Sequence, residues 1–126
     1  MRVPFETMQA EIKRVLIKNG MTEEKADICA RVHTESSRDG VYSHGLNRVA
    51  RFVDHIKKGF VDVNAEPTLL KQSGVFENYD GNLGLGVLNA LFAVNRAVEV
   101  AKEHDIGRSN CQFEILLSGF WIRGFF

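Results

Sequence analysis

Apolar residues recur three or four apart through much of this chain, and glycine or proline stands where the rhythm breaks. Phe5, Met8, Ile12, Val15 and Leu16 keep that spacing and predict an amphipathic helix over residues 4–19, with Lys18 in its last turn and Gly20 as its stop. Thr22 is placed to cap a second helix, and Glu23 and Glu24 fall in the first turn, where the helix dipole favours acids. That helix carries Ala26, Cys29, Ala30 and His33 on one face and runs to about Arg38, ending at Asp39-Gly40. Ser43 can cap a third helix with the stripe Leu46, Val49, Val53 and Ile56, closed by Lys57, Lys58 and Gly59. Residues 60–67 read as a loop ending at Pro67. Thr68–Gln72 and Val75–Tyr79 are short strand candidates around the hairpin signal Ser73-Gly74, and Asp80-Gly81 closes the second. Helical spacing returns over residues 87–104, in Val87, Leu91, Val94, Val98 and Ala101.

This order predicts a mixed α/β fold: a three-helix segment, a short β-hairpin and a long helix, without regular βαβ repeats. A length of 126 residues fits one domain. Sixteen basic residues balance sixteen acidic ones, so no charged field is available to attract nucleic acid or anionic lipid. The apolar runs are far shorter than the ~20 residues of a membrane span. The opening Met1-Arg2-Val3-Pro4-Phe5-Glu6 has no secretory apolar core. Cys29 and Cys111 form no CxxC pair, as expected of free thiols in a cytoplasmic protein.

The chemistry gathers after Asp39-Gly40, in Tyr42-Ser43-His44-Gly45 and Arg48. Imidazole exchanges protons near neutral pH, and guanidinium holds a carboxylate with two parallel hydrogen bonds. His44 and Arg48 are four apart at the start of the third predicted helix, which puts them on one side about a turn apart. A proton shuttle beside a carboxylate clamp suits an enzyme of 2-oxo or 2-hydroxy acids. The plainer alternative is that Ser43 only caps the helix while His44 and Arg48 face water. Gly81-Asn82-Leu83-Gly84-Leu85-Gly86 resembles a phosphate-cradling loop. It misses the dinucleotide fingerprint because Asn89 occupies the third glycine position, so it reads as a strand-to-helix turn. His33 reads as a core or edge histidine, and His55 and His104 as surface positions. The four histidines lack ligand spacing, so no metal is expected.

The run Asp39-Gly40-Val41-Tyr42-Ser43-His44-Gly45-Leu46-Asn47-Arg48 resembles the N-terminal signature of the malate/L-lactate dehydrogenase family of the non-Rossmann type. Similarity also runs through Phe5-Glu6, Arg14-Val15-Leu16, Arg51-Phe52, Asp80-Gly81-Asn82-Leu83-Gly84 and Ala101-Lys102-Glu103-His104-Asp105-Ile106-Gly107, covering about residues 1–107. The resemblance implies the N-terminal part of that family's fold and NAD(P)H-dependent reduction of a small 2-oxo acid to a 2-hydroxy acid. NAD or NADP is the cofactor implied, with NADH favoured, and a homodimer the assembly. On the same resemblance His44 gives a proton to the substrate carbonyl oxygen, Arg48 binds the substrate carboxylate, and Ser43 hydrogen-bonds in the same pocket. It implies that most cofactor-binding residues lie beyond this stretch, and it identifies none within it.

Three positions depart from the family pattern. Ala50 stands where proline is frequent, Asp105-Ile106-Gly107 replaces Gly-Ile-Gly, and Phe120 precedes Trp121-Ile122-Arg123-Gly124 where a histidine is expected. Residues 108–126 read as a divergent apolar tail ending on Phe125-Phe126, and the abrupt change predicts a shifted reading frame near residue 108. The expectation from another class is a non-catalytic remnant or helical interaction module, inactive by itself, whose aromatic tail sits in a partner interface.

Overall fold

The computed structural model describes residues 2–112, so the tail's Phe120, Trp121-Ile122-Arg123-Gly124 and Phe125-Phe126 lie outside the described residues. The chain forms two compact units, the first ending at Asn64 and the second starting at Ala65, a boundary the hydrophobic pattern did not mark.

The first unit holds α1 (Phe5–Lys18), α2 (Glu23–Arg38) and α3 (Leu46–Lys57). Its core draws on the predicted faces, with Ile12 and Leu16 on α1, Ala26, Cys29, Ala30 and His33 on α2, and Val49 on α3, but Leu46 at the head of the predicted α3 stripe is exposed because it stands at the helix start beside the open turn. Thr22 caps α2 as expected, its Oγ1 accepting the Lys25 N–H. Met21, Val61 and Val63 from the connections complete the core. Burial pushes the Cys29 thiol up to about 11, which keeps it protonated and unreactive at neutral pH.

The second unit holds β1 (Thr68–Ser73), β2 (Phe76–Asp80), α4 (Gly86–His104) and β3 (Arg108–Gln112). The predicted hairpin is present, β1 pairing antiparallel with β2 from Thr68↔Asp80 to Ser73↔Phe76. The pattern gave no third strand. β3 lies parallel to β2, with Phe76↔Arg108 and Tyr79↔Cys111 in register, so β2, α4 and β3 make a βαβ unit where none was expected. The mixed helix–strand class stands, extended by that strand.

The stripe on α4 corrects the sequence reading further. Leu91, Val94 and Val98 are exposed at 41%, 44% and 47%, while Asn89 and Val100 are buried. Helix α4 is apolar around much of its girth, so periodicity could not pick the face the sheet takes. Polar pairing decides it. The β2 carboxylate of Glu77, only 3% exposed, meets Arg96 of α4 through Nη2–Oε1 at 2.8 Å and Nε–Oε2 at 3.1 Å. Tyr79 donates its hydroxyl to Glu77 Oε2 at 2.8 Å and meets Phe92 edge-on. Arg96 also pairs with Glu99 on its own helix. The Arg96 bonds hold the Glu77 carboxyl below its ordinary 4.5, so the ion pair stabilises above that value and is lost as pH falls through the lowered one.

Arg96→Met should therefore strand a buried charge. Because Arg96 is one-third exposed, the loss is expected at about 2–3 kcal/mol, below that of a fully buried pair. Urea unfolding at pH 7 measures it. The variant's stability should also fall less than the wild type's below pH 4.5.

Candidate functional site

Ser43 and His44 sit on a tight turn between α2 and α3, and Arg48 lies in the first turn of α3. Gly40 carries the chain out of α2 at φ +84, a conformation costly for any residue with a side chain. Val41 N–H bonds back to the Ser36 carbonyl, and the His44 and Gly45 N–H groups both donate to the Val41 carbonyl. Helix α3 then starts at Leu46 with Gly45 as its N-cap residue.

Ser43 is thus not the cap, and His44 lies before the helix rather than on it. The cap comes from the preceding helix: Ser37 Oγ accepts the Leu46 N–H at 2.8 Å. Nothing in the local pattern marks Ser37, which stands nine residues earlier in the last turn of α2. The approach is close enough that a Cβ on Gly45 would lie 2.0 Å from Ser37 Oγ.

Released from capping, Ser43 serves its neighbour. Its Oγ lies 3.0 Å from His44 Nδ1, and its carbonyl accepts from Arg48 Nε at 3.3 Å. The three predicted residues are therefore joined: Arg48 to Ser43, Ser43 to the His44 ring. A hydroxyl both donates and accepts, so Ser43 can face Nδ1 in either charge state of the ring and leave Nε2 as the proton-exchanging atom. The Arg48 terminal nitrogens have no protein partner among the described residues, which leaves them for an anion. His44 and Ser43 are exposed, as are the neighbouring Val41, Tyr42 and Leu46.

Behind this open face is a second histidine. His33 is 6% exposed, lies beside Phe52 of α3, and brings Nδ1 to 2.8 Å from the His44 carbonyl. A carbonyl only accepts, so Nδ1 carries the proton. The sequence marked His33 as a core or edge residue, which it is, but gave no sign of its bond to the candidate turn.

The glycine-rich stretch is a strand-to-helix turn, as its sequence suggested. Asn82 and Leu83 take left-handed backbone, Asp80 accepts the Asn82 N–H, and the buried Asn89 amide donates to the Gly81 carbonyl. Asn89, the residue that spoils the dinucleotide fingerprint, is what clamps the loop. A cavity of about 290 Å³ lined by Phe76, Glu77, Asn78 and Arg108 contains none of the candidate residues.

Residues 3–112 match the family model described as malate/L-lactate dehydrogenase, a span that takes in β3. The chain is 36% identical over 124 residues to 2,3-diketo-L-gulonate reductase of Haemophilus influenzae, covering 98% of this chain and 36% of that protein. Among solved structures it is similar to malate dehydrogenase from Pyrococcus horikoshii OT3, with 33% identity and a TM-score of 0.81, covering 87% of this chain and 33% of the other. It is likewise similar to sulfolactate dehydrogenase from Methanocaldococcus jannaschii, with 30% identity and a TM-score of 0.83, covering 88% of this chain and 32% of the other. The chain thus spans about a third of the length of these relatives.

Two outcomes test the geometry. Gly45→Ala should push the turn off α2 and cost about 1–3 kcal/mol, as overpacking does, measured by urea unfolding. Burial holds the His33 ring below its ordinary 6.5, followed in effect by the His44 bond, which opposes it, and by the Arg48 and His44 charges. Below pH 6.5 the unfolded chain then binds the proton better, so stability is full above 6.5 and falls as pH drops toward the lowered value. Between pH 7.5 and 5.5 the wild type should lose more stability than His33→Asn; equal losses would contradict the assignment.

Proposed function

The chain belongs to the malate/L-lactate dehydrogenase family, and from that premise we propose that it carries the proton-transfer and carboxylate-binding half of a 2-oxo acid reductase site. The carrying observation is the hydrogen-bonded chain Arg48–Ser43–His44 on the matched segment. A reduced nicotinamide, NADH before NADPH, supplies the hydride in such a reaction. The described residues offer a dinucleotide no cradle, because the Gly81–Gly86 loop spends its polar groups internally: Gly84 N–H on Gly81, Asn82 N–H on Asp80, and Asn89 on Gly81.

What this chain's residues do follows from their atoms. Arg48 pairs its terminal N–H groups with the substrate carboxylate and so sets which way the adjacent carbonyl points. Protonated His44 holds Nδ1–H on Ser43 Oγ and aims Nε2–H at the carbonyl oxygen. As negative charge grows on that oxygen, the imidazolium stabilises it and then yields the Nε2 proton, leaving a neutral ring and a 2-hydroxy acid. Reductases of 2-oxo acids such as diketogulonate, malate or lactate precursors fit this polarity equally. Cytoplasmic location and a homodimer belong to the same reading.

A second reading has one observation behind it. The exposed Leu91, Val94 and Val98 on α4 suit a non-catalytic interaction module. NADH binding by calorimetry supports the reductase, whereas self-association in sedimentation without NADH binding supports the module.

The direct test is titration of the 126-residue chain with oxamate, a 2-oxo acid mimic, followed by NMR of the histidine and arginine side chains. Saturable shifts at His44 and Arg48 are expected, with affinity about tenfold or more weaker in Arg48→Met, the value of a lost charged hydrogen bond. Absence of saturable shifts contradicts the reading. In NADH oxidation assays with a panel of 2-oxo acids, His44→Ala should lower any turnover by about 100-fold or more.

A further inference from the structure

The role of His33 extends beyond filling the core. Its ring hangs from α2, packs beside Phe52 of α3, and reaches the main chain of the residue proposed to move the proton. The turn has two attachments to α2. Ser37 accepts the N–H of Leu46, and His33 donates to the carbonyl of His44. The two bonds bracket Gly45, so together they fix the peptide planes on both sides of it. The His33 bond is the one that bears on the site, because the rotation of the His44 carbonyl sets where the Cα–Cβ bond of His44 points. Ser43, one residue earlier, presents Oγ to that ring and its carbonyl to Arg48.

We infer that His33 is the positioning residue of this site: its buried Nδ1–H pins the His44 carbonyl so that the His44 ring, Ser43 and Arg48 are held in one arrangement before substrate arrives. This rests on the proposed reductase reading, in which His44 and Arg48 contact the substrate. His33 itself contacts neither substrate nor cofactor in that scheme. It acts by removing rotational freedom from the His44 main chain, which Ser37, bonded to Leu46 N–H, does not touch.

Asparagine separates positioning from packing. Its Nδ2 hangs from the same Cβ–Cγ framework as the histidine Nδ1, so His33→Asn keeps a donor facing the His44 carbonyl and discards the rest of the ring. His33→Leu keeps apolar volume and loses the donor. His33→Gln keeps an amide but sets it one methylene further out. The experiment uses the 126-residue chain and two readouts: the order of the His44 ring by ¹³C relaxation, and oxamate affinity by NMR titration. His33→Leu and His33→Gln should each loosen the His44 ring and weaken oxamate about tenfold, the low end of what a site loses with an outer partner. His33→Asn should keep the ring ordered and stay within about twofold of wild type. If His33→Leu does not fold, His33→Gln against His33→Asn decides. Unchanged ring order in the folded donor-less variants overturns the inference, as does His33→Asn behaving like them. Failure of wild type to bind oxamate would count against the reductase reading alone, because ring order is read without ligand.

Discussion

The turn between α2 and α3 depends on α2 lending it two hydrogen-bonding side chains. Residues 41–44 are exposed, with Gly45 alone buried against α2, and an exposed turn of this length has little packing to hold it. Ser37 and His33 supply what packing does not. One satisfies the first N–H of α3, and the other satisfies a carbonyl at the foot of the turn. The sequence that leaves α2 and enters α3 is thereby folded back against the helix it came from. Ser43, His44 and Arg48 become neighbours through that fold-back rather than by sharing a helix face.

The second unit is organised by polar pairing as well. Glu77 and Tyr79 project from one face of β2 and receive Arg96 from α4, while Asn89 ties the start of α4 to the loop after β2. Buried polar groups of this kind tolerate one arrangement of helix on sheet and penalise others. They explain why a helix with apolar residues on several sides settles with Leu91, Val94 and Val98 outward. The βα loop is consequently rigidly tied and inward-looking, which separates it from a phosphate-binding loop of similar glycine content.

The extents of α1 and α2 and most of the first unit's core are legible because burial there follows simple periodicity: Leu16, Ala26, Cys29 and Ala30 fall where a 3.6-residue repeat puts them. The site residues were legible as a set, since Ser43, His44 and Arg48 are adjacent in sequence and their chemistry is distinctive. Their connections were not. Ser43 looked like a cap because serine before a helix usually is one. The true cap, Ser37, acts across a turn that no local pattern encodes. The role of His33 was hidden for the same reason: a bond spanning eleven residues is tertiary. β3 escaped notice because Arg108-Ser109-Asn110-Cys111-Gln112 carries no alternation of apolar and polar residues, and its place is set by pairing with β2. The face of α4 is not legible in hydropathy because Glu77–Arg96 pairing selects it.

A neutral His33 that donates from Nδ1 to the His44 carbonyl holds the candidate turn. Nitrogen-15 NMR of the histidine rings at pH 7.5 reads this directly, since the two ring nitrogens differ widely in shift according to which one is protonated. His33 is expected as the Nδ1–H tautomer, with that proton protected from exchange with solvent. A His33 ring protonated at Nε2, or one whose Nδ1 proton exchanges as fast as a surface histidine's, would contradict it.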